Sequence, residues 1–183
     1  MNYFILSQDE RIASAVEPTG VFDVIRKEWL TTEYQEELDE AVIQFDIKQK
    51  KENDYLDFLD RPIPLYSNRL KTIIHKFAPK LFVKSVVLVD RERIKQDLYW
   101  MMILPRMNCL SEQSEFHKDG SLKRLVLDPE KIGRHTIFQI EGIREPYIII
   151  DLRLAEALLR RDFFGIRLKK AEQAGRRMSH AHD

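Results

Sequence analysis

The stretch TIFQIEGIREPYIIIDLRLAEALLRRDFFGIRLKK, residues 136–170, decides the fold of this chain. Inside it, the apolar run at 147–150 predicts a buried strand, because it is short and rich in β-branched residues. Asp151 then suits the N-cap of a helix, and Gly165 can release the chain into a last alternating strand. The stretch therefore predicts a closing strand–helix–strand unit. Four side chains of the helix at 151–161 are expected to face the sheet: Leu152, Ala155, Leu158 and Leu159.

Patterns outside this stretch predict further strands and one clear helix. Apolar runs at 3–6, 81–89 and 98–104 have the length and composition of strands. Ser67 is expected to cap an amphipathic helix that Pro79 ends. The predicted fold class is therefore α+β, with a mixed, mostly antiparallel sheet and a few packed helices.

The charge of the chain is divided unevenly along its length. Of its 183 residues, positions 1–60 hold 15 acidic and 6 basic side chains, and the remainder holds 15 acidic and 24 basic ones. Thr32 is expected to cap a short helix with several glutamates in its first turn, where the helix dipole favours anions. The expected organisation is an acidic N-terminal segment, 1–53, packed on the same domain as a core, 54–171. A flexible tail, 172–183, follows.

The same residues predict a cytoplasmic protein with no membrane partner. The apolar runs are far shorter than the roughly 18 residues needed to span a bilayer. The first ten residues, MNYFILSQDE, lack the basic start and long apolar region of a signal peptide. Cys109 is the only cysteine, so no internal disulfide can form, which fits a reducing compartment. Cys109 is expected to be a buried free thiol.

The sequence holds no recognised catalytic motif, so it predicts a protein that is not an enzyme and has no cofactor or metal site. The sequence contains no Gly-rich phosphate loop, no GxSxG elbow, and no HExxH or CxxC pair. His180 and His182 near the end could bind nickel or zinc only adventitiously. A small enzyme or ligand-binding domain with an unrecognised site is one alternative.

A basic cluster supports a second alternative, a nucleic-acid-binding accessory protein, since cations can contact phosphates. Capping explains two members of the cluster equally well, and the chain is not basic overall, so nucleic acid is not the expected partner. The cluster consists of Arg153, Arg160, Arg161, Arg167, Lys169, Lys170, Arg176 and Arg177.

Four segments together resemble one known family. They are DYLDFLDRPIPLYSNRLKTII (54–74), LYWMMILPRMNCLSEQSEF (98–116), LVLDPEKIGRHTIFQIEGI (125–143) and IIIDLRLAEALLRRDFFGIRL (148–168). These resemble the helix entry, the Tyr-Trp segment, the strand–turn–strand and the closing unit of the immunity proteins of bacterial polymorphic toxin systems, family eleven. That family was first catalogued as a domain of unknown function. The resemblance covers about 54–170 and is carried mostly by hydrophobic pattern.

The resemblance implies an antidote that binds and neutralises a cognate toxin protein and performs no catalysis. Toxins of such systems are varied, and nucleases are one class among them. A nuclease inhibitor must cover a basic cleft, so acidic side chains around aromatic anchors are the expected interface. The candidate partner-binding residues are Trp29, Glu33, Tyr34, Glu36, Glu37, Asp39 and Glu40, with Asp54, Asp57 and Asp60 behind them.

Overall fold

A computed structural model describes residues 1–175. The strands are β1 (Tyr3–Gln8), β2 (Pro18–Thr19), β3 (Gln44–Ile47), β4 (Phe58–Leu59), β5 (Leu65–Ser67), β6 (Phe82–Asp90), β7 (Lys95–Ile103), β8 (Arg106–Met107), β9 (Glu115–Phe116), β10 (Leu122–Arg124), β11 (Val126–Leu127), β12 (Ile137–Ile140), β13 (Ile148–Asp151), β14 (Ile166–Lys170) and β15 (Glu172–Gln173). The α-helices are α1 (Val21–Val24), α2 (Gln35–Glu40), α3 (Asn68–Phe77), α4 (Pro129–Ile132) and α5 (Leu152–Leu159). Two 3₁₀ turns, Lys27–Leu30 and Thr32–Tyr34, lie between α1 and α2.

Two larger sheets organise the molecule. A five-stranded sheet has the order β14-β1-β13-β12-β8, and a six-stranded sheet has the order β2-β3-β6-β7-β5-β4. Most neighbouring strands are antiparallel, whereas β3 with β6 and β8 with β12 are parallel. The predicted α+β class with a mixed, mostly antiparallel arrangement is confirmed.

The closing unit has the predicted order of elements. β13 is fully buried and pairs with β1 on one side and β12 on the other. Asp151 caps α5, because its carboxylate accepts a hydrogen bond of 2.9 Å from the backbone N–H of Leu154. Gly165 has a φ of +79°, a left-handed conformation that turns the chain into β14 at little steric cost. Local signals therefore predicted this unit correctly.

The buried face of α5 differs from the predicted one. Leu154, Ala155, Ala157 and Leu158 are buried, whereas Leu159 is 69% exposed and Leu152 is only half-buried. Apolar residues lie on more than one side of this helix, so the periodicity alone does not fix which side turns inward. Packing against the sheet selects the Leu154–Leu158 side.

A central cluster joins the two sheets through α3 and α5. Leu70 and Ile74 from α3, and Leu154 and Leu158 from α5, pack with residues of both sheets. Ser67 caps α3 as predicted, since its hydroxyl accepts a hydrogen bond from Leu70 N. The helix pair is therefore the main link between the two sheets.

Three local predictions are corrected by the structure. Thr32 does not cap a helix: it begins a 3₁₀ turn, and α2 follows with no side-chain cap. The second strand of the β6–β7 hairpin starts at Lys95 rather than Leu98, because Lys95 pairs with Asp90. Glu172 and Gln173 form β15, which pairs in parallel with β11, so regular pairing continues past residue 171. The rest of the predicted tail, including His180 and His182, lies outside the described residues.

Candidate partner-binding surface

The acidic residues of 21–40 are held on one face of the six-stranded sheet by a few buried apolar side chains. Val21, Ile25 and Leu38 are buried in the cluster that lines this face, and Trp29 packs half-buried against it. Lys84 of β6 donates a hydrogen bond of 2.5 Å to the backbone carbonyl of Asp39. These contacts fix the backbone, and the carboxylates between the anchors point to solvent.

We call the exposed side chains of residues 22–42 the acidic surface. Six of the sequence-predicted residues belong to it: Glu33, Tyr34, Glu36, Glu37, Asp39 and Glu40 are all exposed. Trp29 lies beneath them as a half-buried support. The structure therefore brings the first seven candidates together on two 3₁₀ turns and α2.

The carboxylates of the acidic surface have no cationic partners among residues 1–175. The ion pairs formed within this range join other parts of the chain, such as Asp9 with Arg11 and Asp151 with Arg153. The two basic residues of the segment do not neutralise it; Lys27 instead lies 4.9 Å from the ring centroid of Phe22. The unpaired acidic residues are Asp23, Glu28, Glu33, Glu36, Glu37, Asp39 and Glu40.

Exposed apolar side chains lie among these carboxylates. Phe22 and Val24 are each 43% exposed, and Val42 is 92% exposed. Sequence reasoning missed all three. Alternation could have revealed Val42, because Ile43, Phe45 and Ile47 are buried while Val42 shares the exposed phase of the pattern. The acidic surface thus combines unpaired negative charge with apolar contact area.

Asp57 lies apart from this surface, in the interior. It is 6% exposed, and its two carboxylate oxygens accept hydrogen bonds from Ser67 Oγ at 2.5 Å and from the backbone N–H of Phe164 at 2.7 Å. Its own backbone N–H donates to the carbonyl of Phe164 at 2.8 Å. Asp57 therefore fastens the start of α3 to the loop after α5.

Asp54 and Asp60 also make intramolecular contacts away from the acidic surface. The Asp54 carboxylate accepts a hydrogen bond from the Ser14 hydroxyl. Asp60 and Gln8 are joined twice, since each backbone N–H donates to the other's side chain, at 3.0 and 3.1 Å. The three aspartates of residues 54–60 thus connect elements of the fold, and the structure does not group them with residues 29–40.

The other residues considered for a site are a cysteine, possible metal ligands and the basic cluster. Cys109 is fully buried, and burial raises the pKa of its thiol to about 11, so the thiol stays protonated near neutral pH. In the described part of the chain, no three histidine, cysteine or acidic side chains gather to hold a metal ion. Within the basic cluster, Arg153 and Arg160 pair with Asp151 and Glu156.

Comparisons with known proteins add no relative. No family model, no curated protein and no solved structure matches this chain. Over residues 1–175, no helix is long and apolar enough to cross a bilayer.

Proposed function

We propose that this protein is a non-enzymatic binding protein that neutralises a cognate bacterial toxin, as the resemblance of about residues 54–170 implies. The observation that carries the proposal is the acidic surface. It holds seven acidic side chains that have no ion pair within residues 1–175, interspersed with exposed apolar groups. Such a surface suits a basic cleft that itself binds phosphate groups, as in a nuclease.

Electrostatics explains why unpaired carboxylates support binding. Residues 21–42 hold seven acidic and two basic residues, so like charges in this segment repel one another. A positive partner would relieve this repulsion and would be steered toward the surface during diffusion. Charge complementarity of this kind raises association rates by about 10- to 1,000-fold at low ionic strength.

The exposed apolar groups supply the second element that a binding surface needs. Interface affinity is concentrated in a few large, desolvated side chains, among which tyrosine is enriched. Tyr34, Phe22 and Val42 are exposed apolar or aromatic groups in the same segment as the carboxylates. In this proposal the carboxylates set the association rate, and the apolar groups slow dissociation.

The decisive experiment measures association with the product of a toxin gene that adjoins this gene. Glu36→Lys, Glu37→Lys and Glu40→Lys would be combined in one variant and compared with the natural protein by surface plasmon resonance at low and high salt. We expect the association rate at low salt to fall at least about tenfold, and the difference to shrink as salt screens the charges.

A matched control carries the same change in charge elsewhere. Glu52, Glu130 and Glu141 are exposed residues outside the acidic surface, and a variant with lysine at all three should associate nearly as fast as the natural protein. Equal slowing in both variants would show that only net charge matters. An unchanged rate in the first variant would place the interface on another surface.

The apolar groups are tested by the dissociation rate. Tyr34→Ala and Val42→Ala should each speed dissociation and leave the association rate nearly unchanged, because they remove short-range contacts. Leu159→Ala, at a 69% exposed position of α5, is the control for removing an exposed apolar side chain. In cells that express the toxin, Tyr34→Ala and Val42→Ala should each reduce protection, and Leu159→Ala should not.

A further inference from the structure

A cleft opens where β1 and β13 separate in the five-stranded sheet. Along β1, Leu6 pairs with Ile148, but Ser7 and Gln8 pair only with β14 on the other side. Continuing the register would place Pro146 opposite Gln8. Proline has no N–H to donate to the carbonyl of Gln8, which disfavours a further pair at this position. The N–H of Gln8 donates to Asp60 at 3.0 Å. The cleft between the separated chains has a volume of about 440 Å³, within the range of ligand sites.

One wall of the cleft is cationic. Arg167 and Lys169 of β14 are exposed, project from the same face of the strand, and form no ion pair with any residue of 1–175. Their cross-strand neighbours are Ser7 and Ile5, which also line the cleft. Arg167 also contributes to the positive field that lowers the pKa of Asp9. Two adjacent cations without a close ion pair are suited to binding a carboxylate.

The other wall holds two carboxylates, each with an oxygen that lacks a hydrogen bond. Glu145 accepts a bond of 2.9 Å from Leu122 N through one oxygen, and its second oxygen is buried without a donor. Asp60 differs in part: one oxygen accepts from Gln8 N, and the other forms an ion pair of 3.5 Å with the Arg61 guanidinium but no hydrogen bond. A buried acceptor without a donor is destabilising, so a donor such as an ammonium group would be favoured beside Glu145.

From these two walls we infer that the cleft binds a small zwitterion, an α-amino acid or a short peptide with free ends. Its carboxylate would lie against Arg167 and Lys169, and its ammonium would donate to Asp60 and Glu145. Ile5, Phe58 and Tyr147 give the cleft an apolar part, which favours a ligand with an apolar side chain. The cleft is lined mainly by β1, β14 and the chain before β13, with Phe58 and Asp60 from the β4 end of the six-stranded sheet, and none of the acidic-surface residues lines it.

The experiment titrates the whole protein with free leucine, free phenylalanine and the dipeptide Leu-Phe by isothermal calorimetry. We expect saturable binding of at least one of them. N-acetylated and C-amidated forms of the same ligand should bind at least about tenfold more weakly, because each loses one charge-assisted contact. The affinities for the free amino acids and for the dipeptide then show whether the cleft prefers a single amino acid or a short peptide.

Two variants test the walls, and a third serves as the control. Lys169→Met and Glu145→Gln should each weaken binding by about tenfold or more. Lys170→Met alters the adjacent residue of β14, which does not line the cleft, and should bind like the natural protein. Circular dichroism would verify that each variant is folded, and the blocked ligands test the inference even if Glu145→Gln is not.

Three results would overturn this inference. They are no saturable binding at millimolar ligand, equal affinity for free and blocked ligands, and equal weakening by Lys169→Met and Lys170→Met. None of them bears on toxin binding, which is measured at residues 33–42 with a different partner. The two proposals can therefore fail separately.

Discussion

The closing unit, residues 147–170, and the acidic surface, residues 22–42, are built in opposite ways. In the closing unit, β13 buries every residue and lies between two strands. In the acidic surface, short helices and 3₁₀ turns are attached by single buried residues, such as Leu38 of α2. The closing unit therefore contributes buried area to the core, whereas the acidic surface keeps most of its side chains exposed to solvent.

The helices of the core and those of the acidic surface also differ in how their N-terminal ends are capped. Asp151 and Ser67 cap α5 and α3 with side-chain hydrogen bonds of 2.9 and 3.1 Å. Neither α1 nor α2 has a side-chain cap. A helix of four or six residues without a cap is unstable by itself, so α1 and α2 depend on the sheet beneath them. Local unfolding should therefore begin in residues 21–42.

The largest expected change in the free energy of unfolding comes from removing a buried side chain of α5 from the core. Leu158 is fully buried in the central cluster, so Leu158→Ala should lower the free energy of unfolding by about 2–5 kcal/mol. The matched control is Leu159→Ala, at the neighbouring exposed position, which should change it by less than about 0.5 kcal/mol. Urea denaturation measures both. Similar losses in the two variants would mean that α5 docks with another face.

The next largest effect on stability is expected from removing the hydrogen bonds that Asp57 makes to Ser67 and Phe164. Asp57→Ala would leave Ser67 Oγ and the N–H of Phe164 without their acceptor, which should lower the free energy of unfolding by about 2–4 kcal/mol. Asp57→Asn keeps one acceptor oxygen and should lose less. If Asp57→Ala were fully stable but failed to bind the toxin, Asp57 would belong to the interface after all.

The sequence predicted the closing unit well because its signals are local and agree with one another. The apolar run, the capping aspartate and Gly165 lie within twenty residues of each other. The inward side of α5 was not predictable in the same way. Leu152, Leu154, Leu158 and Leu159 are all apolar, and only contacts with distant strands select which of them are buried.

The three aspartates of residues 54–60 show why the candidate site was only partly predictable. In sequence they form one repeating pattern, DYLDFLD, and looked equivalent. Their surroundings depend on partners such as Phe164, which is 107 positions from Asp57. No local pattern contains that information. Exposure of the acidic side chains of residues 33–40 was easier to predict, because unpaired carboxylates rarely occupy an interior.

A smaller effect is expected from reversing charges on the acidic surface. The combined Glu36→Lys, Glu37→Lys and Glu40→Lys variant loses no ion pair and relieves repulsion, but it places two lysines in the first turn of α2, where the helix dipole favours anions. These effects oppose each other, so its free energy of unfolding should stay within about 0.5 kcal/mol of the natural value. Hydrogen exchange of residues 35–40 should stay nearly unchanged. A loss above about 1 kcal/mol would show that these carboxylates stabilise the fold, which would erase the contrast between the two regions.

The smallest effect concerns a paired carboxylate, Asp9, at the end of β1. Hydrogen bonds from the Arg11 side chain, at 2.7 and 2.8 Å, lower the Asp9 pKa from 3.8 to about 2 and outweigh the opposing effect of burial. Because the folded-state pKa is the lower one, this pairing stabilises the protein above the ordinary pKa of 3.8. The stabilisation is lost as the pH falls toward 2, when the folded protein also takes up the proton.

Asp9→Asn isolates this contribution. The difference in melting temperature between the natural protein and the variant should be constant above pH 3.8 and should shrink as the pH falls toward 2. Added salt should reduce it, because Arg11 is 81% exposed. A difference that widened on acidification would mean that the Asp9 pKa is raised by burial rather than lowered by Arg11. Asp9 would then resemble neither the paired carboxylates of the fold nor the exposed ones of the acidic surface.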